Sequence, residues 1–426
     1  MNKLADNCFN QVEDLMTTAR ALEIMRQSIV TVTRDRLESV PLHQSLGRIL
    51  AEDVISGLDA PPHDNSAVDG YAMRHGDLAA NGPTSLSIQG RSAAGHPFAR
   101  PLEAGQTVRI FTGAVMPQGA DTVVMQEDVS ATAHRITLPP GLQLGANRRL
   151  RGEDTKRGDV VLARGQRLRP QDLGLAASVG LGALTLYRRL RVGVFSSGDE
   201  LAKPGVPGAP PAQLPSGAVY DANRYILAAL VRGLVAEVSD LGILPDDATA
   251  VREGLGAAAA EHDLLLTSGG ISVGDEDHVR GAVEALGHLN FWKVAIKPGR
   301  PLALGQIGDA AFVGLPGNPV AAMVCFLRFA RPLILGLAGA SDLEPVLYRV
   351  TAGFDYEKKP GRREWLRARL EQGENGAPCA MLFRPQGSGI INSLVRSHGL
   401  VEIGEDVTNI KAGEAVDFLP YNEVAS

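Results

Sequence analysis

Cysteine is scarce in this sequence, which has Cys8, Cys325 and Cys379 in 426 residues. Because the number is odd, a disulfide framework cannot account for all of them. Cys325 lies inside the apolar segment VAAMVCFL, where a buried free thiol is expected. These features favour a reducing compartment, and we expect the protein to be cytoplasmic.

The sequence also lacks an excess of positive charge. Its formal net charge is −6 and its pI is about 5.9, so no overall basic field draws it onto nucleic acid or an acidic membrane. Any anionic ligand must therefore be held by local cations.

Long hydrophobic runs are missing as well, because no apolar stretch approaches the roughly 18 residues of a membrane span. The N-terminal segment also has no apolar signal region. We expect neither nucleic acid nor a membrane as a partner.

The chain is long enough for roughly three domains, and its hydrophobic content of 44% is enough for several cores. Leu15, Leu22 and Ile29 recur along one face and predict an amphipathic helix over residues 12–29. Short β-like runs then alternate with Gly, Pro, Asn and Asp turns, which predicts an inserted β-rich domain. The predicted domains are 1–56 plus 157–188 (N-terminal helical or linker domain), 57–156 (inserted β-rich domain), 189–343 (α/β domain) and 344–426 (small C-terminal β-barrel domain).

Strands and helices alternate from Arg189 to about Ala340, which is typical of a doubly wound α/β fold. Ligands of such folds bind beyond the carboxyl ends of the strands. From Glu344 onward, short strands joined by turns predict the C-terminal β domain. The predicted fold class is therefore a multidomain α/β plus β protein.

Three strands of the α/β domain end in small or turn-forming residues, in SSGDEL, TSGGISVGDED and PGNP. Hydroxyls and approachable backbone amides at one sheet edge suit a phosphate-bearing ligand. In PGNP, Asn318 is predicted as an N-cap and Pro319 as the first helical residue, although an ordinary capped turn would have the same sequence. The ligand-binding candidates here are Ser196, Ser197, Gly198, Ser268, Gly269, Gly270, Gly317 and Asn318.

The segment WKVAIKPGRP places two lysines beside a rigid turn. Lys293 and Lys297 lie next to Pro298 and Pro301, whose rings restrict φ, while Gly299 permits a sharp bend. Cations on a rigid backbone suit a small anion, whereas the alternative is a pair of solvated lysines. Further cations come from Arg362, Arg363 and Arg367 in GRREWLR, and Ser388 lies in a QGSG turn; solvated surface arginines are the alternative here.

Acidic residues follow the same strand ends. Carboxylates among phosphate-binding turns would repel the ligand unless a hard cation bridges them, so the pattern implies Mg²⁺. The alternative for each is helix capping. The residues concerned are Asp199, Glu200, Asp246, Asp247, Asp275 and Asp277.

Long motifs connect these features to a known family. PPHDNSAVDGYAM at 61–73 and RIFTGAVMPQGADTVVMQED at 109–128 occur with RRLRGED, SSGDEL, TSGGISVGDED, WKVAIKPGRP and GLPGNPVAA in one order. In these motifs the chain closely resembles the molybdopterin molybdenumtransferase family, which includes the C-terminal part of gephyrin. The resemblance runs from about Glu13 to Pro420.

The resemblance implies an elongated homodimer that transfers molybdenum from molybdate into adenylylated molybdopterin with Mg²⁺, releasing AMP and molybdenum cofactor. It implies, as further partners, the molybdopterin adenylyltransferase and proteins of molybdoenzyme maturation. The functional positions it carries over are Asp69, Thr112, Glu200, Asp246, Asp277, Lys293, Lys297, Arg367 and Ser388.

Roles for these positions follow from their chemistry. Lys293, Lys297, Arg367 and Ser388 are expected to hold molybdate. Glu200 and Asp277 are expected to position Mg²⁺, and Asp69 and Thr112 to complete the site from the partner subunit.

Some positions depart from the commonest family pattern, namely Val68, Ser197, Arg300 and Ala321. Ala321 replaces a frequent Ser and weakens the prediction that PGNP binds phosphate.

Two other functions stay open: a molybdopterin adenylyltransferase, whose domain resembles the α/β domain, and a noncatalytic scaffold. The added domains and DNSAVDGYA disfavour the first, and no peptide-binding signature supports the second.

Overall fold

The computed structural model of the chain describes residues 15–29, 36–205, 213–245, 247–270, 278–299, 301–373 and 376–425. The first elements are α1 (Thr18–Ser28), β1 (Leu37–Pro41) and β2 (Val54–Ile55). Helix α1 begins later than predicted, because Thr17 is its N-cap and accepts a hydrogen bond from the Arg20 amide at 3.3 Å. Leu15 is 50% exposed, so the predicted apolar face was wrong at this end, although Leu22 and Met25 are buried.

The next segment forms a β-rich unit, as predicted. Its strands are β3 (Asn65–Ser66), β4 (Gly70–Met73), β5 (Thr84–Ser92), β6 (Gln106–Ile110), β7 (Thr122–Met125), β8 (Ser130–Ala131), β9 (Arg135–Leu138) and β10 (Arg148–Arg149). Six of them form one sheet in the order β7-β4-β6-β5-β9-β8. Met73, Leu86, Val124 and Ile136 pack together in its core.

The chain then returns to the first unit through β11 (Val160–Leu162), α2 (Pro170–Ser178) and β12 (Ala183–Tyr187). Strand β11 pairs antiparallel with β2, and β12 pairs antiparallel with β1. Because β2 precedes the β-rich unit and β11 follows it, the chain leaves and re-enters the first unit at the same place.

The central unit is the predicted α/β domain. Its elements are β13 (Leu190–Ser197), β14 (Leu201–Ala202), β15 (Val219–Tyr220), α3 (Asn223–Arg232), β16 (Ala236–Leu244), α4 (Ala248–Glu261), β17 (Leu264–Ser268), α5 (His278–Leu286), β18 (Gly287–Lys293), β19 (Ile296–Lys297), β20 (Pro301–Ile307), β21 (Ala310–Leu315), α6 (Pro319–Cys325) and α7 (Arg331–Leu337). The sheet order is β16-β13-β17-β21-β20-β18, in which β16, β13, β17 and β21 are parallel, β20 is antiparallel to β21, and β18 is antiparallel to β20. The carboxyl ends of β13, β17 and β21 therefore lie side by side.

A π-helical turn at Phe326–Ala330 joins α6 to α7, so that 19 residues from Pro319 to Leu337 form one helical run. This run is long and apolar enough to cross a membrane by length and composition, contrary to the prediction that no such stretch exists. It is 89% buried inside the protein, which is the behaviour of a core helix. Cys325 within it is free and fully buried, as predicted, and burial raises the pKa of its thiol to about 12.

The last unit contains β22 (Tyr348–Ala352), β23 (Tyr356–Glu357), β24 (Arg363–Gln372), β25 (Pro378–Leu382), α8 (Ile391–Val395), β26 (Gly399–Ile403), β27 (Asn409–Ile410) and β28 (Ala415–Pro420). Five strands in the order β24-β25-β22-β28-β26 close into a barrel because β26 also pairs with β24. This confirms the predicted β-barrel. Strand β19 of the central unit pairs in parallel with β24, so the barrel is joined to the α/β sheet at that point.

Candidate functional site

A cavity of about 680 Å³ lies where the α/β unit meets the barrel. Most of the predicted turn residues line it, together with residues from GRREWLR and QGSG. The lining residues are Gly269, Gly270, Ile296, Lys297, Pro298, Gly299, Pro301, Pro316, Gly317, Asn318, Ala321, Arg362, Gln386, Gly387 and Ser388. The turns after β17 and β21 thus face the barrel across one space.

The predicted serines are placed behind this wall. Ser196 and Ser197 are buried at the end of β13, and Ser268 donates from Oγ to the Pro316 carbonyl at 2.8 Å. None of these three side chains is among the residues that line the cavity. The turn after β17 passes close to the end of β13, since a Cβ on Gly270 would lie 3.2 Å from the Ser197 Cβ.

Asn223 is a residue that the sequence did not single out. Its Nδ2 donates to Ser268 Oγ at 2.8 Å and to the Gly317 carbonyl at 2.6 Å, which ties together the turns that follow β17 and β21. Its Oδ1 is buried without a hydrogen-bond partner among the described residues. Asparagine at a helix start resembles an ordinary cap in sequence, so only the tertiary contact distinguishes it.

Lys297 belongs to a three-residue polar group on the cavity wall. Its Nζ donates to Glu364 Oε2 at 3.0 Å and to the Tyr356 hydroxyl oxygen at 3.3 Å, and Tyr356 donates to the same carboxylate at 2.7 Å. Glu364 is 1% exposed. Burial acts to lower the pKa of Lys297, but its hydrogen bonds to Glu364 and Tyr356 raise that pKa above the usual value. Lys297 is thus held as a cation.

The pairing of β19 with β24 explains this contact. Lys297 stands directly opposite Glu364 in the register, so the acidic partner comes from the other unit of the chain.

Lys293 has a different position from Lys297. It lies at the end of β18 opposite Pro301, is exposed, and does not line the cavity. The structure therefore separates the two lysines that the sequence grouped together.

Asn318 occupies the N-cap position of α6 and Pro319 follows it, as predicted, but the Asn318 side chain makes no capping hydrogen bond. The Val320 amide at this helix start donates instead to the Ser388 carbonyl at 3.0 Å. The helix start is thus bonded to the QGSG turn. This contact brings Ser388 to the cavity wall.

Arg367 was predicted to contact the oxyanion, but its side chain is 1% exposed and does not line the cavity. It donates from Nη2 to the Gly387 carbonyl at 2.9 Å and from Nε to Ser393 Oγ at 3.1 Å. Burial lowers its pKa below the usual value. Arg367 thus supports the turn next to Ser388, and among the described residues the arginine that lines the cavity is Arg362.

Arg363 was predicted as a further cation beside Arg362 and Arg367. It pairs with Glu402 at 2.7 Å and with Glu405 at 2.8 Å, so its charge is satisfied within the barrel. This makes Arg363 a structural residue.

The proposed Mg²⁺ ligands are only partly covered by the structure. Asp246, Asp275 and Asp277 lie outside the described residues. Glu200 is exposed, and its carboxylate folds back over Gly198. Asp247 caps α4 by accepting from the Ala250 amide at 2.8 Å, which supports the capping alternative for that residue. The described part of the chain contains no group of three or more His, Cys, Asp or Glu side chains suited to a metal ion.

Asp69 and Thr112 lie together in the β-rich unit, although 43 positions separate them in sequence. Asp69 Oδ1 accepts from the Thr112 amide at 2.8 Å and from its hydroxyl at 2.7 Å. These two hydrogen bonds lower the pKa of Asp69 below its usual value. Neither residue lines the cavity.

Replacing Asp69 with Asn is expected to lower stability in a pH-dependent way. Because the pKa of Asp69 is depressed in the folded state, the ionised carboxylate stabilises the fold above its ordinary pKa of 3.8, and this contribution is lost as pH falls through the folded pKa. The difference in urea midpoint between wild type and Asp69→Asn should thus be constant from pH 7 to 5 and shrink below pH 4. Thr112→Val, which keeps the amide donor, should show a smaller difference. A difference that grew on acidification would contradict this account.

Comparison with known proteins agrees with this architecture. Residues 193–336 match the family described as "Probable molybdopterin binding domain", so the central unit is of the molybdopterin-binding class. Residues 16–180 match the MoeA N-terminal region (domain I and II), and residues 349–421 match the MoeA C-terminal region (domain IV).

Similar proteins cover nearly the whole chain. A molybdopterin molybdenumtransferase of Haemophilus influenzae is 40% identical over 389 residues, which is 91% of this chain and 94% of the relative. A molybdopterin molybdenumtransferase 2 of Mycobacterium tuberculosis is 34% identical over 88% of this chain and 93% of the relative. The crystal structure of a molybdopterin biosynthesis moeA protein from Pyrococcus horikoshii has a TM-score of 0.79 and 30% identity, covering 96% of this chain and 100% of that one. The chain belongs to the molybdopterin molybdenumtransferase family, a family of transferases in molybdenum cofactor biosynthesis.

Proposed function

We propose that this protein transfers molybdenum from molybdate into adenylylated molybdopterin, with release of AMP and formation of molybdenum cofactor. The observation that carries the proposal is the cavity between the α/β unit and the barrel, which combines Lys297 and Arg362 with Gly-rich turns and Ser388. Cations and backbone amides at one wall suit a ligand that carries phosphates and an oxyanion.

Lys297, Arg362 and Ser388 are proposed to bind molybdate. The lysine and arginine offer charged N–H donors, and the serine offers a hydroxyl, so all three match the oxygens of a tetrahedral dianion. Arg367 is proposed as a positioning residue, because it holds the Gly387 carbonyl beside Ser388 at 2.9 Å. Lys293 remains a candidate for contact with a longer ligand at the end of β18.

Mg²⁺ is proposed to act at the phosphates of the adenylylated substrate. The ion is commonly held by one or two carboxylates together with substrate phosphate oxygens, and Glu200 at the end of β13 fits that pattern, with Asp277 proposed as the second ligand. A bound Mg²⁺ ion would neutralise the charge of the phosphoanhydride. Glu200 would orient the ion, and Gly269 and Gly270 would allow close approach of the phosphates.

A homodimer is proposed to complete the site. Asp69 and Thr112 form a hydrogen-bonded pair on an exposed part of the β-rich unit, away from the residues that line the cavity. A second copy of the chain would place this pair opposite the cavity. The cytoplasmic location expected from the cysteine content accords with a biosynthetic transferase.

An AMP-release assay tests the proposed function. Purified protein with adenylylated molybdopterin and Mg²⁺ is expected to release AMP faster when molybdate is added, and the product should activate a molybdenum-free molybdoenzyme. Formation of adenylylated molybdopterin from ATP and molybdopterin, without molybdate-dependent AMP release, would instead support an adenylyltransferase. Failure of both reactions would favour the scaffold.

A further inference from the structure

A second cavity, of about 780 Å³, lies between the N-terminal unit and helix α7, remote in sequence from the turns of the first cavity. Residues 163–170 form one side, Arg331 and Leu335 of α7 form another, and the segment 340–346 that leads into the barrel closes it. Its walls are apolar at Leu46, Leu168, Leu335 and Val346. None of its lining residues lines the first cavity.

Two arginines in this cavity form no ion pair with a carboxylate among the described residues, although their side chains are largely buried. Arg167 donates from Nη2 to the Gly233 carbonyl at 2.9 Å and from Nε to the Gly47 carbonyl at 3.4 Å. Arg331 is 8% exposed and donates to the carbonyls of Leu343 at 3.2 Å and Glu423 at 3.4 Å. The Nε of Arg331 is buried without a hydrogen-bond partner among the described residues.

Three carboxylates, those of Asp342, Glu344 and Glu423, line the same cavity as the two arginines. Glu344 pairs with Arg26 and lies 4.0 Å from Arg328, and Glu423 accepts from the Tyr348 hydroxyl at 2.7 Å. Asp342 is exposed. Within the described ranges, no carboxylate forms an ion pair with Arg167 or Arg331.

The electrostatics agree with this geometry. Burial lowers the pKa of Arg331, and the positive charges of Arg167 and Arg328 lower it further, while the carboxylates of Asp342 and Glu344 act in the opposite direction without offsetting the decrease. Burial also lowers the pKa of Arg167. Two desolvated cations that repel one another are costly unless an anion lies between them.

We propose that this second cavity binds a small organic anion through an oxyanion head group, a phosphate or a carboxylate, held by Arg167 and Arg331. The volume of the second cavity exceeds that of the head group alone, and its apolar walls would accommodate the remainder of the ligand. Planar guanidinium groups suit either type of oxyanion. This site is independent of the first cavity and of the proposed function.

Calorimetric titration of the full-length protein with inorganic phosphate, and separately with acetate, tests the site. Arg167→Gln should weaken binding of the preferred anion about tenfold or more, the loss expected for a charge-assisted hydrogen bond, and Arg331→Gln should do the same if it folds. Arg169→Gln is the matched control. Arg169 lines the same cavity, but it is 63% exposed and paired with Asp172 at 3.1 Å, so binding should not change.

Lys297→Gln separates this site from the first cavity. Anion binding that persists in Lys297→Gln and is lost in Arg167→Gln supports the second site, and the tighter of the two anions identifies the head group. If anion binding were lost in Lys297→Gln but unchanged in Arg167→Gln, the inference would be wrong, while the role proposed for the first cavity would stand. The inference would also be wrong if Arg167→Gln bound the anion as wild type does but had a sedimentation coefficient different from that of wild type. A second copy of the chain would then cover the cavity.

Discussion

Replacing Lys297 with Met is expected to lower the rate of molybdate-dependent AMP release by about 100-fold or more. Removing a charged donor aimed at a developing or bound anion commonly has an effect of this size. The change also leaves the Glu364 carboxylate, 1% exposed, without its lysine partner at 3.0 Å. Because Lys297 itself is 48% exposed and water reaches it, the loss in free energy of unfolding should be only about 1–2 kcal/mol.

A double variant separates the two effects of this substitution. Adding Glu364→Gln to Lys297→Met removes the stranded buried carboxylate, so urea denaturation should show recovered stability while AMP release stays low. Lys411→Met serves as the control for loss of a lysine, since Lys411 is 55% exposed and lies 3.6 Å from Asp355 on the barrel surface. If Lys297→Met kept normal activity at limiting molybdate, the oxyanion role of Lys297 would be wrong.

Replacing Gly299 with Ala is expected to lower the free energy of unfolding by about 3 kcal/mol and to reduce activity. Gly299 has a φ of +88°, which costs an L residue about 1 kcal/mol or more. A Cβ at this position would lie 2.9 Å from Cys325 Sγ and 3.2 Å from Ala321 Cβ, and such overpacking costs about 1–3 kcal/mol. The turn that carries Lys297 would then have to move.

Gly308 is the matched control for this prediction. It has a φ of +54°, but a Cβ there would meet nothing within 4 Å, so Gly308→Ala should cost only about 1 kcal/mol. Cys325→Ala added to Gly299→Ala should recover part of the lost stability, because it removes the sulfur atom that the new methyl group contacts. Equal losses in Gly299→Ala and Gly308→Ala, measured by urea denaturation, would show that the crowding is unimportant.

Much of the fold could be predicted from the sequence because local patterns are strong in this chain. The three strands predicted to end in SSGDEL, TSGGISVGDED and PGNP and the short strands of the barrel are confirmed. Each is an apolar or alternating run bounded by turn residues, and such signals depend on near neighbours alone. The α1 start was wrong because Thr17 caps the helix after Leu15, and a heptad spacing does not show where a cap lies.

The long helical run at Pro319–Leu337 was missed for a related reason. It consists of two helices joined by a π-helical turn, with Arg328 in the turn and Arg331 at the start of α7, so no uninterrupted apolar stretch marks it. Both arginines are buried, at 6% and 8% exposure. Partners elsewhere in the chain, such as Glu402 for Arg328, make that burial possible.

The sequence by itself determined most of the strands, the α/β and barrel classes, the free buried Cys325 and the set of turns that end the parallel strands. It also contained the residues of the cavity, since Lys297, Gly269, Gly270 and Ser388 are all in motifs. Only the tertiary structure decided which cations reach the cavity. Arg362 lines it and Arg367 is buried behind it because β24 is packed between strands of the barrel, and Lys297 meets Glu364 because β19 joins that barrel. Those outcomes depend on contacts between residues that lie far apart in the chain, which no local pattern encodes.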